Sequence, residues 1–351
     1  MVSVIIPCRN AGPWIAETVE SALQDGCAEI ILVDDGSTDR SNEIALEAGR
    51  GKLRVLAGKQ RGVSAARNVG MAAASQPWIQ FLDADDVLGG GKIARQLAFG
   101  KRTGADVVYS DFRELCEVAA GTYEPGEWKR VDLSGDTSCR VFGWRQWIQI
   151  GAMLFRRAAL DRVGGHDAAM THIEEVNLYV RMALDGARFE HDGDHEAAVW
   201  HRKHRSIVSL GASNRTGFHA GCLHNVQLAQ AAWASTPAGL TPARRTALLD
   251  DYEFLARFYY VHDRPTFARI MENVRSLTPR FIPKAPAMLR RLSQILGYER
   301  AEAVALRYRA AKQRWQALNG RTVDDGFWNK PSMAVYAKAT AAEGDEARGD
   351  A

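Results

Sequence analysis

The chain has 351 residues, 46% of them apolar and 25% charged, and 45 Lys+Arg against 42 Asp+Glu leave a formal charge of +3. At ~150 residues per domain this is about two domains, ample for a buried core. The composition excludes disorder, collagen and coiled coil as whole-chain descriptions, and the near balance of charge argues against a dedicated nucleic-acid binder.

The first 110 residues alternate strand and helix. An apolar run at 2–7 predicts a strand, and apolar positions at helical spacing predict a helix over 13–24. Strands follow at 29–33, 53–56, 78–82 and 106–109. Helices are predicted at 38–48, with Ser37 or Thr38 as N-cap, and at 63–74 and 91–101. This alternation implies a mostly parallel α/β sheet covered on both faces. Between 111 and 145 the pattern breaks into loops or a β-excursion rich in Gly and Trp. A further strand is expected at 151–155 and a helix at 176–183, and beyond 210 the chain turns helical. The domains expected are 1–210, a helical region over 211–340, and a frayed polar tail over 341–351.

Cys8, Cys27, Cys116, Cys139 and Cys222 form no CxxC pair and read as free thiols in a reducing compartment. Neither a basic leader with an apolar stretch nor an uninterrupted apolar window of ~18 residues occurs. The expectation is a cytoplasmic protein without a membrane-spanning helix.

In an open parallel sheet, ligands bind beyond the carboxyl ends of the strands. Three polar clusters are predicted there: Pro7-Cys8-Arg9-Asn10, Asp34-Asp35-Gly36-Ser37 and Asp83-Ala84-Asp85-Asp86. One acidic turn after a strand is usually just a turn or a cap; three at one sheet edge point to a site. Several carboxylates in one cleft repel unless a cation neutralises them. Hard oxygen donors on a short turn suit Mg²⁺ or Mn²⁺, which keep positions open for substrate phosphates. No GxGxxG follows the first strand and no Walker lysine motif is present, which disfavours NAD-type and P-loop sites.

Four segments in this order resemble the family 2 inverting glycosyltransferases of the GT-A fold: 2–7 (VSVIIP), 31–39 (ILVDDGSTD), 62–70 (GVSAARNVG) and 81–86 (FLDADD). The likeness continues more loosely through Gly164-Gly165-His166-Asp167 and residues 174–181 to about 209. It implies a GT-A type nucleotide-binding sandwich and a metal-dependent transferase using a nucleotide-diphospho-sugar, UDP-linked by expectation. The acceptor would be a glycan, glycolipid or protein, in synthesis of cell-surface polysaccharide or glycoconjugate. The resemblance puts Pro7 and Arg9 at the nucleotide base and Asp35 at the base or ribose. It also puts Asp83 at the sugar nucleotide and Asp85, with Asp83, at the metal. Arg67 falls in a motif beneath the donor, or is a structural ion pair with a nearby Asp. The family's Glu-Asp before a helix is here Glu174-Glu175. The general base is therefore Glu175, or Glu174, or neither, and a helix dipole alone would also favour two acids there. In Trp200-His201-Arg202-Lys203-His204, His204 matches a histidine near the donor diphosphate or metal; otherwise the stretch is a solvated basic loop.

Trp128, Trp144 and Trp147 border the acceptor side in this fold, as a stacking platform or as core. His191 and His195 read as surface residues. From Arg275 to Arg321 there are eleven Lys/Arg and two Glu. Such a run is a solvated helix face, or it rests on anionic lipid at the inner face of a membrane or on an acidic partner. The alternative to an enzyme is a catalytically weakened relative serving as a nucleotide-sugar binding or assembly subunit. A nucleotidyltransferase is disfavoured because Pro7-Cys8-Arg9-Asn10-Ala11-Gly12 is poor in glycine.

Overall fold

The computed structural model describes residues 1–141, 147–193, 198–205, 214–284 and 286–319. Two compact units divide the chain, Met1–Leu255 and Ala256–Ala351. The expected 210/211 boundary and the expected 341–351 tail fall outside the described residues, as do Trp144 and His195.

The first unit opens with β1 (Val2–Cys8), α1 (Ile15–Gln24), β2 (Glu29–Asp34), α2 (Ser41–Ala48), β3 (Leu53–Ala57), α3 (Val63–Ala73) and β4 (Trp78–Phe81). There follow β5 (Val87–Leu88), α4 (Lys92–Thr103), β6 (Val107–Tyr109), β7 (Phe112–Ala119) and β8 (Thr122–Lys129). The unit continues with α5 (Thr137–Arg140), β9 (Met153–Arg156), α6 (Arg157–Arg162), α7 (Glu174–Leu184), β10 (Phe189–His191), β11 (Val199–Lys203) and α8 (Arg215–Ala234). Helix α9 (Pro242–His262) runs through the division, and α10 (Arg264–Leu277), α11 (Ala287–Leu296) and α12 (Tyr298–Leu318) belong to the second unit.

Among the described residues, seven strands form one sheet in the order β10-β6-β9-β4-β1-β2-β3. All neighbours in it pair in parallel except β9, which runs antiparallel to both β4 and β6. Val4, Ile5 and Ile6 of β1 and Ile30 to Val33 of β2 have no exposed surface. Continuous apolar runs of this kind belong to central strands covered on both faces. β1 lies between β2 and β4, so the three polar clusters that follow these strands share one edge.

The β-excursion is the β7–β8 hairpin, part of a four-stranded sheet in the order β5-β11-β7-β8. β11 pairs in parallel with β7 and antiparallel with β5, which ties residues 199–203 to the segment just after the Asp83 cluster.

Two helices begin later than the sequence suggests. α1 starts at Ile15 rather than Pro13. α2 starts at Ser41, and neither Ser37 nor Thr38 caps it. Those residues serve the turn after β1 instead: Asn10 N donates to Ser37 Oγ at 3.0 Å, and Thr38 N donates to Asn10 Oδ1 at 2.8 Å. Asn214, which opens a glycosylation-like triplet, caps α8 by accepting from Gly217 N at 2.9 Å.

Helix α3 must lie close on the sheet, because Gly70 faces β1. A Cβ there would fall 2.3 Å from Ile5 Cγ2 and 3.3 Å from Val33 Cγ2. Alanine would gain about 1 kcal/mol of helix propensity, but it would wedge two fully buried β-branched side chains. We expect Gly70→Ala to destabilise the fold by about 1–3 kcal/mol, read as a lower urea midpoint with an unchanged slope; a raised midpoint would contradict the close contact.

Candidate active site

The site is organised by Arg67 of α3, whose side chain is 1% exposed. Its Nη2 donates to Asp83 Oδ1 at 2.8 Å and to Glu175 Oε1 at 3.2 Å, and its Nη1 donates to Glu174 Oε1 at 3.2 Å. One guanidinium thus joins the turn after β4 to the first turn of α7. Burial opposes its charge, but Asp83, Glu175 and Glu174 together hold the Arg67 pKa above its ordinary value. The ion pair with a nearby Asp, one of the two readings of Arg67, is present.

Glu175 stands apart from its neighbour. Its Oε2 accepts a long contact from Trp147 Nε1 at 3.4 Å. Burial, reinforced by the adjacent Glu174 carboxylate, pushes its pKa from 4.5 up to about 8 despite Arg67. A carboxylate so raised is matched to proton abstraction near neutral pH.

The residue before α7, Ile173, adopts left-handed backbone geometry with φ 49°. That is costly for a β-branched residue. α8 holds it there: a Cβ on Gly221 would lie 2.9 Å from Ile173 Cγ1, and Asn177 donates to Asn225 Oδ1 at 2.8 Å.

Both oxygens of Asp83 are engaged, Oδ1 by Arg67 and Oδ2 by Gln149 Nε2 at 2.9 Å. Asp85 is more open, with a side chain 36% exposed. Its Oδ2 lies 3.0 Å from His204 Nε2, while His204 Nδ1 lies 2.8 Å from the Tyr123 hydroxyl. Trp14 Nε1 donates to the same hydroxyl at 3.1 Å, and its ring packs 4.4 Å from the His204 ring. The expected Asp85–His204 neighbourhood therefore exists, supported by the hairpin and by the start of α1.

Asp86 is fully buried. It accepts from Arg202 N at 2.8 Å, bonds Gln149, and faces His201 Nδ1 at 3.2 Å. Burial lifts its pKa to about 6. Burial pulls His201 down, and the Asp86 carboxylate more than restores it, leaving it raised. Arg202 is a brace: its Nε donates to Asp85 O at 2.7 Å and its Nη2 to Glu17 Oε2 at 2.7 Å.

At the other end of the edge, Pro7 is half-buried and Arg9 is exposed. Asp35 is 5% exposed and accepts from Gly62 N at 2.9 Å and Arg61 N at 3.3 Å. Its carboxylate holds the loop that leads into α3.

Trp147 adjoins Glu175, with His201 5.0 Å away between ring centroids and Lys203 Nζ 5.4 Å from its ring centroid. Trp128 carries Arg113 and Arg130 against its ring instead. His191, expected at the surface, is half-buried and packs edge-on to Tyr109 at 5.2 Å. The aromatic ring fills space beside β6, so the residue is part of the packing. Gln149, Tyr123 and Ile173 were not singled out from sequence. A glutamine, a tyrosine in a hairpin and an isoleucine before a helix carry no spacing signal.

Among the described residues, no three or more His, Cys, Asp or Glu are placed to hold a metal ion by themselves. The open Asp85 carboxylate with His204 beside it still fits Mg²⁺ or Mn²⁺, which take one or two carboxylates and complete their shell with substrate phosphates and water.

This architecture is that of the GT-A glycosyltransferases. Residues 3–164 match the model of Glycosyl transferase family 2. The chain is 32% identical over 206 residues to the succinoglycan biosynthesis protein ExoU of Rhizobium meliloti, covering 54% of this chain and 58% of that one. It is 29% identical over 115 residues to the Escherichia coli UDP-Glc:alpha-D-GlcNAc-diphosphoundecaprenol beta-1,3-glucosyltransferase WfgD, covering 32% and 46%. The match thus spans little more than half the length of the first of these relatives. S. aureus TarS 1-349 in complex with UDP-GlcNAc superposes with a TM-score of 0.62 at 20% identity, covering 91% of this chain and 92% of that one. At that identity the likeness is one of fold.

Replacing Arg67 by Met removes the one cation that, among the described residues, the three carboxylates share. We expect a loss of about 3–5 kcal/mol, smaller at about pH 5 than at about pH 8 because protonation relieves the repulsion. Thermal unfolding at both pH values checks this; equal losses would mean that the carboxylates do not depend on Arg67.

Proposed function

We propose that the protein is a metal-dependent inverting glycosyltransferase. It moves a sugar from a nucleotide-diphospho-sugar, UDP-linked, to an acceptor hydroxyl in polysaccharide or glycoconjugate synthesis. The observation that carries this reading is the sharing of Arg67 Nη2 between Asp83 and Glu175, which sets the base candidate against the donor-side carboxylate. Support for the donor class comes from the UDP-GlcNAc bound to TarS and the UDP-Glc in the name of the E. coli relative. Support for the pathway class comes from the succinoglycan biosynthesis relative.

In this reading Glu175 takes the proton of the acceptor hydroxyl. The oxygen forms its bond to the anomeric carbon as the bond to the diphosphate breaks on the opposite face. The configuration inverts in one displacement, and the nucleoside diphosphate leaves with the electron pair. Arg67 orients Glu175, and Trp147 Nε1 restrains its second oxygen. Asp85 with His204 would hold Mg²⁺ or Mn²⁺, which supplies positive charge against the departing diphosphate. Pro7, Arg9 and Asp35 line the nucleotide end, and Asp83 faces the donor sugar.

The second reading is a nucleotide-sugar binding subunit with weakened turnover. It is favoured by the glutamate at 175, one methylene longer than the family's aspartate and held by Arg67.

Purified protein incubated with UDP-, GDP- and dTDP-sugars, with Mn²⁺ or with EDTA, should release nucleoside diphosphate from one donor and only with metal. Glu175→Gln should lower transfer by about 10²–10⁴-fold while donor binding, read by calorimetry, stays within a few-fold. Full activity in this variant would overturn the base assignment. Metal-dependent binding without turnover in the wild type, with turnover gained by Glu175→Asp, would favour the second reading.

The base must be ionised, so kcat/KM should climb with pH, reach half its maximum at about 8 and level off above that. Stability should move the other way. Because the folded pKa is raised, the carboxyl's favourable contribution is complete below its unfolded value near 4.5 and fades as pH rises through about 8. Glu175→Gln should flatten that part of the stability profile; an unchanged profile would place the titration elsewhere.

A further inference from the structure

The basic C-terminal run is not accounted for by the site. It lies in the second unit, where residues 256–319 carry 13 Lys/Arg and four Asp/Glu. In helix α12, Val304 is 43% exposed, Tyr308 55% and Leu318 86%, and Trp315 is 53% exposed. Positions 304, 308, 315 and 318 repeat at helical spacing. At about 100° per residue they fall on one face about 80° wide. On α11, Met288 is 43% exposed and Ile295 80%, again two turns apart on one face.

The charges are sorted about this stripe. By the same geometry Arg300, Arg307 and Arg314 border it on one side and Lys312 on the other, and Glu299 and Glu302 lie on the opposite side of the helix. Both glutamates are already engaged, Glu299 by Arg275 at 2.5 Å and Glu302 by Arg309 at 2.5 Å. A solvated helix has no reason to expose large apolar side chains along one line, and a core helix would not border them with arginines. An interfacial helix requires both: apolar groups entering the acyl boundary, and cations at the level of anionic headgroups.

We propose that the exposed stripe of α12 docks on the surface of an anionic lipid bilayer. The attachment is peripheral, since no described helix is long and apolar enough to cross a membrane. Charge complementarity selects this occupant. The stripe faces outward between cations that a neutral apolar partner would leave unpaired.

The test uses the full chain and sedimentation with vesicles of phosphatidylcholine alone or mixed with phosphatidylglycerol. Binding should be at least about tenfold stronger to the mixed vesicles and should fall steeply with added salt. Val304→Asp with Tyr308→Asp should abolish it, with far-UV circular dichroism unchanged. Arg307→Glu with Lys312→Glu, which keeps the apolar stripe, should lose the preference for phosphatidylglycerol. No binding to either vesicle overturns the proposal, as does equal, salt-insensitive binding to both. Soluble self-association that the aspartate variant dissolves, without vesicle binding, would assign the face to a second copy instead. None of these measurements depends on sugar transfer.

Discussion

A buried guanidinium without counter-charges would be ruinous, and three carboxylates crowded without a cation would be nearly as bad. Arg67 and its three partners resolve both problems at once. The arrangement constrains everything near it. α3 must lie close enough on β1 and β2 for Arg67 to reach across the sheet edge, which is why Gly70 faces Ile5. α7 must begin at Glu174 and not a residue later, and the left-handed Ile173, held under α8, sets that start. The buried His166, beneath Phe81, is kept neutral by burial and by the nearby Arg67 charge. It therefore adds no second cation to the cluster.

The second sheet does a different task. Its strand β11 fixes the acidic turn after β4. Arg202 holds the backbone of Asp85 and its own amide in β11 reaches Asp86, while Gln149, just before β9 of the seven-stranded sheet, bridges Asp83 and Asp86. The hairpin contributes Tyr123, which orients His204 toward Asp85. Asp86 is thus a structural acid, shielded and paired, whereas Asp85, one residue earlier, is the open one. Neighbouring carboxylates with opposite environments are a common way to divide support from chemistry.

Much of this was legible in the sequence. The βα alternation, the buried central strands and the polar edge follow from apolar runs and turn chemistry. Two of the four motifs contain Asp83, Asp85 and Arg67, and the looser likeness over 174–181 contains the Glu174-Glu175 pair. Helix starts were less legible, because Ser37 and Thr38 look like caps yet satisfy the turn of Asn10, a contact 27 to 28 residues away. Of the tryptophans, Trp128 and Trp147 look alike in sequence. Tertiary packing alone separates one stacked under arginines from one touching the base candidate. Gln149 and Tyr123 act only through partners distant in the chain, so no local pattern could mark them.

The Arg67 cluster also has a history in the folding of the chain. The bonds from Arg67 to Glu174 and Glu175 close loops of 107 and 108 residues, whereas its bond to Asp83 spans only 16. Long closures form late, after the local βα units have condensed. By loop closure alone, Asp83 is the partner that costs least to bring to Arg67. The family segment ends at 164, before either glutamate is reached. A chain trimmed to that segment, or still being synthesised up to it, holds Arg67 but only one of its three counter-charges. Glu174 and Glu175 open the same helix, so the closure that brings one of them to Arg67 brings the other, and the charge cluster is completed in a single step.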